Sequence, residues 1–253
     1  MPRKLGQHFL NDQAQLRRIA DNVCGEGTPR VIEIGPGKGA LTRYLLERTA
    51  ELHAIEIDEE LCASLERKFA GHGGFHLHCG DVLATDLGQW GPAALAGNLP
   101  YYITSPIITR FLHLGMDFPC AVFLMQEEVA ERIQAAPGSR DYGFLSVQTQ
   151  LLCTVRIVSR VPPSAFVPPP KVKSAVVQFD RQRMMDEDVK RIIQFAGRCF
   201  AHKRKTLRNN LKPYYPSQAL NAVAEAGLRA EQLSINELVD LEKRLRTFPV
   251  PAI

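Results

Sequence analysis

The sequence contains no run of eighteen or more uncharged apolar residues, so no membrane-spanning helix is expected. Its first residues, MPRKLGQHFLND, lack the apolar core of a secretion signal and the long Arg/Ser-rich stretch of an organelle transit peptide, which makes a cytoplasmic protein the expectation. No C-x-x-C motif appears, and Cys24, Cys62, Cys79, Cys120, Cys153 and Cys199 stand far apart. That spacing favours reduced cysteines used as small packing residues over a zinc site or a disulfide framework. No internal repeat is present, and the only biased segment is the proline-rich VPPSAFVPPPK at 161–171.

What is there describes a globular chain. The 253 residues are 45% hydrophobic and 23% charged, enough for a sizeable core in one large domain, with or without a small appendage. Lys and Arg exceed Asp and Glu by 31 to 27, a mildly basic balance that identifies no partner by itself.

Short apolar runs alternate with helical patterns from about residue 30 to 126. VIEI (31–34), ELHAIEID (51–58), FHLHCGD (75–81), AALAGNLP (93–100) and CAVFLMQ (120–126) read as strands. ALTRYLLER (40–48), EELCASLERKF (59–69), SPIITRFLHL (105–114) and EEVAERIQ (127–134) carry helical spacing between them. This alternation predicts an α/β fold, a parallel sheet covered on both faces. A helix near 143–152 precedes a closing strand pair, CTVRIVSRV (153–161) and KSAVVQFD (173–180). From about 186 to 250 only helical patterns remain, with a turn at KPYYPS (212–217). The expected division is a sheet domain over 1–182 and a small all-helical domain over 183–253.

The first strand runs into Gly35-Pro36-Gly37-Lys38-Gly39-Ala40 and then a helix. Glycines there let the chain turn sharply and let a ligand touch the backbone. Such loops, at the carboxyl ends of strands, are where open α/β sheets bind nucleotides. Gly35, Gly37 and Ala40 satisfy the dinucleotide pattern, and Glu56 follows 21 positions after Gly35, so the loop alone does not separate a nicotinamide cofactor from another adenosine ligand. Further along, Asp81 ends the next strand and Asn98 the one after. With Glu33, four successive strand ends bring polar groups to one rim. Taken singly, Glu33 or Asp81 could be a helix cap or turn former. As an ordered series they suit a cationic cofactor without phosphates, S-adenosylmethionine.

Asn98-Leu99-Pro100-Tyr101-Tyr102 is the most specific segment. The exocyclic amine of adenine is a weak nucleophile because its lone pair is delocalised into the ring. Two acceptors, the Asn98 side-chain oxygen and the Pro100 carbonyl, could hold its hydrogens and turn the lone pair toward a methyl donor, a positioning mechanism that needs no metal. Tyr101 can stack on the extruded base. Phe166, on the stiff Phe166-Val167-Pro168-Pro169-Pro170 loop, is the candidate for the base's second face; the alternative is a core anchor.

The chain resembles the KsgA-type small-subunit ribosomal RNA adenine dimethyltransferases almost end to end. The resemblance rests on KLGQHFLND (4–12), EIGPGKGALT (33–42), IEID (55–58), GD (80–81), NLPYYITSPI (98–107), the F-x-P-x-P-x-V-x-S pattern at 166–174 and KRKTLRNNL (203–211). It implies a Rossmann-like class I S-adenosylmethionine-dependent methyltransferase domain with a C-terminal helical domain, in which residues 1–25 close over the cofactor through Gly6-Gln7-His8-Phe9-Leu10. It also implies cofactor contacts at His8, Leu10, Gly35, Glu56, Asp81 and Asn98; Gly37, Ile57 and Val82, beside them in the chain, complete the candidate set. The implied reaction places two methyls on N6 of each of two adjacent adenosines in a hairpin loop near the 3′ end of 16S rRNA. The implied partner is the small ribosomal subunit or its precursor, met by a monomer. The family often has Asn where His8 stands and Ile where Leu99 stands.

HKRKTLRNNLK (202–212) carries Lys203, Arg204, Lys205, Arg208 and Lys212 with no acid among them, one turn after Arg198. A run this dense suits phosphate contacts, although a solvated helix face would look the same. The expected target is a single-stranded loop with bases that can be splayed out. Competing readings are a large-subunit rRNA dimethyltransferase, a non-catalytic RNA-binding assembly factor, a DNA adenine methyltransferase and a nicotinamide dehydrogenase.

Overall fold

The computed structural model describes residues 8–25 and 28–248. Gly6 and Gln7, expected to close over the cofactor, lie outside the described residues. The chain forms two compact units, one of residues up to Ala130 with Cys153–Gln182, the other of Glu131–Leu152 with Arg183 onward. The segment 131–152, expected in the sheet domain, therefore belongs to the helical unit. Tyr142 and Val147 are buried there against Phe195, Leu207 and Leu238, which explains the assignment.

In the first unit, β1 (Phe9–Leu10) leads into α1 (Gln13–Val23), which Asp12 caps by accepting the N–H groups of Ala14 and Gln15. There follow β2 (Arg30–Ile34), α2 (Thr42–Leu46), β3 (Glu51–Glu56), α3 (Glu59–Lys68), β4 (Phe75–Cys79), β5 (Ala94–Asn98), α4 (Thr104–His113), β6 (Cys120–Gln126) and the first residues of α5 (Glu127–Gln134), which belongs from Glu131 on to the second unit. β7 (Cys153–Val161), β8 (Phe166–Val167) and β9 (Ser174–Arg181) complete the first.

Among the described residues, seven strands form one sheet in the order β4-β3-β2-β5-β6-β9-β7. β4 through β6 pair in parallel, and β9 closes the sheet antiparallel to both β6 and β7. The order reverses between β2 and β5, so their carboxyl ends open a crevice, the usual ligand position in such sheets. Gly97 lets those strands approach: a Cβ there would stand 2.5 Å from the Ile34 carbonyl oxygen.

On one face, Leu16, Ile19 and Val23 of α1 pack with Tyr44 and Leu45 of α2 against Val31, Leu52, Ala96 and Leu124. On the other, Phe111 of α4 meets Phe123 edge-on at 6.3 Å and Phe179 at 5.9 Å. A second, two-stranded ribbon was not foreseen. β1 pairs antiparallel with β8, Phe9 opposite Val167 and Leu10 opposite Phe166, and the Asn11 N–H donates to Ala165 at 2.8 Å. The start of the described chain is thereby fastened to the proline-rich loop.

The expectation of six separate reduced cysteines is corrected at one place. Cys62 of α3 and Cys79 of β4, 17 positions apart, form a disulfide with a Cα separation of 6.1 Å. α3 packs over the edge of the sheet, a proximity that sequence spacing does not display. Cys24, Cys120, Cys153 and Cys199 are free.

The second unit holds α6 (Phe144–Leu152), α7 (Glu187–Cys199), α8 (Leu207–Leu211), α9 (Ser217–Asn221) and α10 (Ile235–Arg246). Asp186 caps α7, and Ser234 with Glu237 forms a reciprocal capping box on α10.

Candidate active site

Every residue expected to touch a cofactor (His8, Leu10, Gly35, Gly37, Glu56, Ile57, Asp81, Val82 and Asn98) lines one cavity at the carboxyl ends of β2, β3, β4 and β5. Pro100 and Tyr101 line it too, whereas Phe166 does not. Its walls are of two kinds, acidic at the strand ends and apolar between them.

The glycine loop is built around the acid of β3. One Glu56 oxygen accepts the Gly37 N–H at 3.0 Å; the other accepts those of Ile57 and Asp58 at 3.0 and 3.1 Å. Glu56 thus braces the loop while bordering the cavity, and a carboxylate with about four lone-pair sites still has capacity for a ligand. Gly37 has φ +58°, and a Cβ there would lie 2.9 Å from the Phe9 ring, so the position requires glycine for conformation and for space.

Glu33 is neither a cap nor a turn former. It is buried, and its carboxyl group accepts the Thr42 hydroxyl at 2.7 Å. Burial pushes its pKa up to about 8, reinforced by the charge of Glu56 and opposed by the Thr42 hydrogen bond. Asp81 does support a turn, accepting the Leu83 N–H at 2.8 Å, while also lining the cavity. Beside these acids Ile57 is 54% exposed and Val82 is buried, a wall fit for a flat heterocycle.

The Asn98 amide is oriented by the start of the chain. Its NH2 donates to the His8 carbonyl at 2.9 Å, which leaves the side-chain oxygen to accept. Tyr101 is fixed at its far end, with its hydroxyl 2.8 Å from that of the fully buried Ser174. Burial raises the Tyr101 pKa, so the phenol is neutral. The His8 ring lies over the Tyr101 ring, 5.9 Å between centroids and 28° from parallel, and its Nδ1 is 2.8 Å from the Pro168 carbonyl.

Two expectations meet difficulties here. The Pro100 carbonyl already accepts the Ile103 N–H and the Thr104 hydroxyl, each at 3.1 Å, so both its lone pairs are engaged. The Leu99 carbonyl accepts no hydrogen bond among the described residues. Phe166, 2% exposed, packs in the core with Leu10, Val161 and Val176, because its ribbon pairing with Leu10 turns it inward. It is the core anchor of the alternative reading.

Sequence reasoning passed over Ser174, whose role needs the register of β9, and Tyr102. The latter, 59% exposed, lines the cavity mouth; a second aromatic directly after Tyr101 was the available signal.

In the helical unit, Lys203, Arg204, Lys205, Arg208 and Lys212 are all exposed, the first three in the turn before α8 and the last at its end. Lys203 donates to the Arg140 carbonyl and Arg208 to the Asn221 side chain. Arg198 stacks on Tyr214 at 4.4 Å.

Sheet order, glycine loop and acidic strand ends define an open α/β protein with a nucleoside-type cofactor crevice. The family follows from comparison: a model described as ribosomal RNA adenine dimethylase matches residues 1–247, and the chain belongs to that family. It is similar to ribosomal RNA small subunit methyltransferase A of Acidobacterium capsulatum, 42% identical across 96% of this chain and 90% of that one. The protein of the same name from Pseudomonas fluorescens Pf-5 is 39% identical across 99% and 96%. Among solved structures, a dimethyladenosine transferase from Plasmodium falciparum superposes with a TM-score of 0.79 at 26% identity, covering 92% of this chain and 96% of that one. The 23S rRNA methyltransferase ErmE superposes at 0.72 and 29% identity, covering 94% and 99%.

Proposed function

We propose that this chain is an S-adenosylmethionine-dependent ribosomal RNA adenine dimethyltransferase that acts, as a cytoplasmic monomer, on the small ribosomal subunit or its precursor. Its target would be two adjacent adenosines in the 3′-terminal hairpin loop of 16S rRNA, each taking two methyls on N6 as a step in ribosome biogenesis. One observation carries the reading. Asn98 lines the cavity and its NH2 donates to the His8 carbonyl, which leaves the amide oxygen available as an acceptor for an amine.

The cavity fits the cofactor. Glu56 has one lone-pair site left for a ribose hydroxyl, exposed Ile57 and buried Val82 offer walls for adenine, Asp81 offers an acceptor for its amine, and the acidic rim suits positive charge. When bound, S-adenosylmethionine supplies an electrophilic methyl on a positively charged sulfur.

The chain's own residues position the target. Asn98 accepts one hydrogen of the adenine amine. With Pro100 engaged, the neighbouring Leu99 carbonyl takes the other. Holding both hydrogens turns the nitrogen toward tetrahedral geometry and frees its lone pair, an effect of positioning and fixed dipoles. Tyr101, anchored by Ser174, offers its ring to the base. After one transfer a single hydrogen remains, so the second transfer relies on one of the two acceptors. The exposed cations of 203–212 would hold the RNA backbone.

The test is incubation with tritiated S-adenosylmethionine and separated, undermethylated ribosomal subunits, followed by mapping of the label. Label on adjacent adenosines of the small subunit is expected. Label on large-subunit RNA would favour the reading that the ErmE likeness supports. No label on either, with cofactor binding intact, would leave an RNA-binding protein and overturn the proposal.

A further inference from the structure

A second polar cluster lies away from the cavity, toward the amino end of β3. His53 precedes Glu56 by three residues, about 10 Å along the strand. Glu51 and His53 are two apart and share a face, and register places His76 of β4 directly beside His53 on that face. His76, His78 and Cys79 lie together in the linear sequence, but the approach of His53 to His76, 23 positions away, is created only by parallel pairing.

We propose that Glu51, His53 and His76 form a binding site for one borderline divalent transition ion of the zinc class. The three donor atoms all lie within 4.8 Å of one another. The Glu51 oxygen and His53 Nε2 are 2.7 Å apart. Zinc bound at about 2.0–2.2 Å in tetrahedral geometry needs donors about 3.3 Å apart. The His53 and His76 rings stack with centroids 4.9 Å apart, so binding requires the exposed His76 ring to swing out of the stack toward the Glu51–His53 pair. Two imidazoles and a carboxylate are a zinc-type donor set that leaves a fourth position for water.

Groups around the cluster orient it as such ligands require. Nδ1 of His53 lies 3.0 Å from Nε2 of His78, so a metal at the opposite nitrogen leaves an N–H to be accepted there. Arg30 binds the other Glu51 oxygen at 2.5 Å, which turns the first toward His53. His53 is buried and His76 exposed, so an ion has a fixed base and an open approach. A bound ion would tie the edge strand β4 to β3.

The chain carries its own reporter. Its single tryptophan, Trp90, stacks 4.7 Å from the His53 ring and lies 4.4 Å from that of His78. Titrating the untagged, metal-stripped full chain with Co2+ should quench tryptophan fluorescence saturably at one ion per chain. Zn2+ should reverse the quenching, and calorimetry should give the same stoichiometry for Zn2+. His76→Ala, an exposed change that leaves the fold in place, should weaken binding tenfold or more, whereas His113→Ala, elsewhere on the surface, should not. Absence of saturable quenching, or equal affinity in His76→Ala and the parent, would overturn the site.

Discussion

The Asn98 side chain and the His8 backbone, ninety positions apart, meet in a hydrogen bond of 2.9 Å that engages the amide NH2 and leaves its oxygen as an acceptor. Replacing Asn98 with Ala removes an acceptor made for the reacting amine while sparing most contacts a cofactor would use. Loss of one such preorganised group typically costs about 10²–10³ in rate. Asn98→Ala is expected to lower kcat by at least that factor with the cofactor Kd changed only a few-fold, measured by label transfer and by calorimetry. Near-parental turnover would remove the amine-positioning mechanism.

Phe166 separates a stacking role from a packing role. It is 2% exposed and lies opposite Leu10, so it holds β1, and with it His8, in place. Phe→Ala in a core typically costs about 3–5 kcal/mol. Phe166→Ala is therefore expected to lower the Tm sharply, whereas Phe166→Leu should keep kcat within a few-fold at a modestly reduced Tm. A large kcat loss in Phe166→Leu at unchanged Tm would restore Phe166 to the reacting centre.

Glu33 should make stability fall as pH rises. Its folded-state pKa, near 8, lies above the ordinary 4.5 because the carboxylate is buried. Below about pH 4.5 the group is protonated in both states and contributes no slope. Between 4.5 and 8 the native state keeps a proton that the unfolded chain has released, so stability declines by up to about 1.4 kcal/mol per pH unit. Above 8 the penalty is constant. Glu33→Gln removes this component, so its Tm relative to the parent should climb from pH 5 to pH 8 and then level off. Parallel Tm curves would refute the shift.

Local rules made much of this molecule legible. Strands β2 to β6 and their helices were readable because buried apolar runs alternate with helical spacing, and glycines and acids mark the strand ends. What stayed hidden depends on register or packing between distant segments. β1 and β8 are two residues each, too short for periodicity, yet their pairing sends Phe166 into the core. Pro100 looked like a free acceptor because the turn that engages its carbonyl through Ile103 and Thr104 forms only in the folded chain. Cys62 meets Cys79, and His53 meets His76, for the same reason. Tyr142 and Val147 could be assigned to the helical unit only once their neighbours were known.

The exposed cations before and within α8 give the last prediction. Lys205 and Arg208 lie within one short segment and are exposed, so reversing both charges disturbs no core contact; Arg208 gives up only its surface bond to Asn221. If both meet phosphates, Lys205→Glu with Arg208→Glu removes two counterion-releasing contacts. The slope of log K against log salt should then become shallower by about 1.4–1.8. Affinity for a small-subunit RNA fragment should fall at moderate salt, while cofactor affinity and Tm stay at parental values because the cavity lies wholly in the sheet unit. Filter binding across a salt series, with calorimetry of the cofactor beside it, measures both. An unchanged slope would place these two side chains among ordinary solvated charges and shift the RNA contact to another surface.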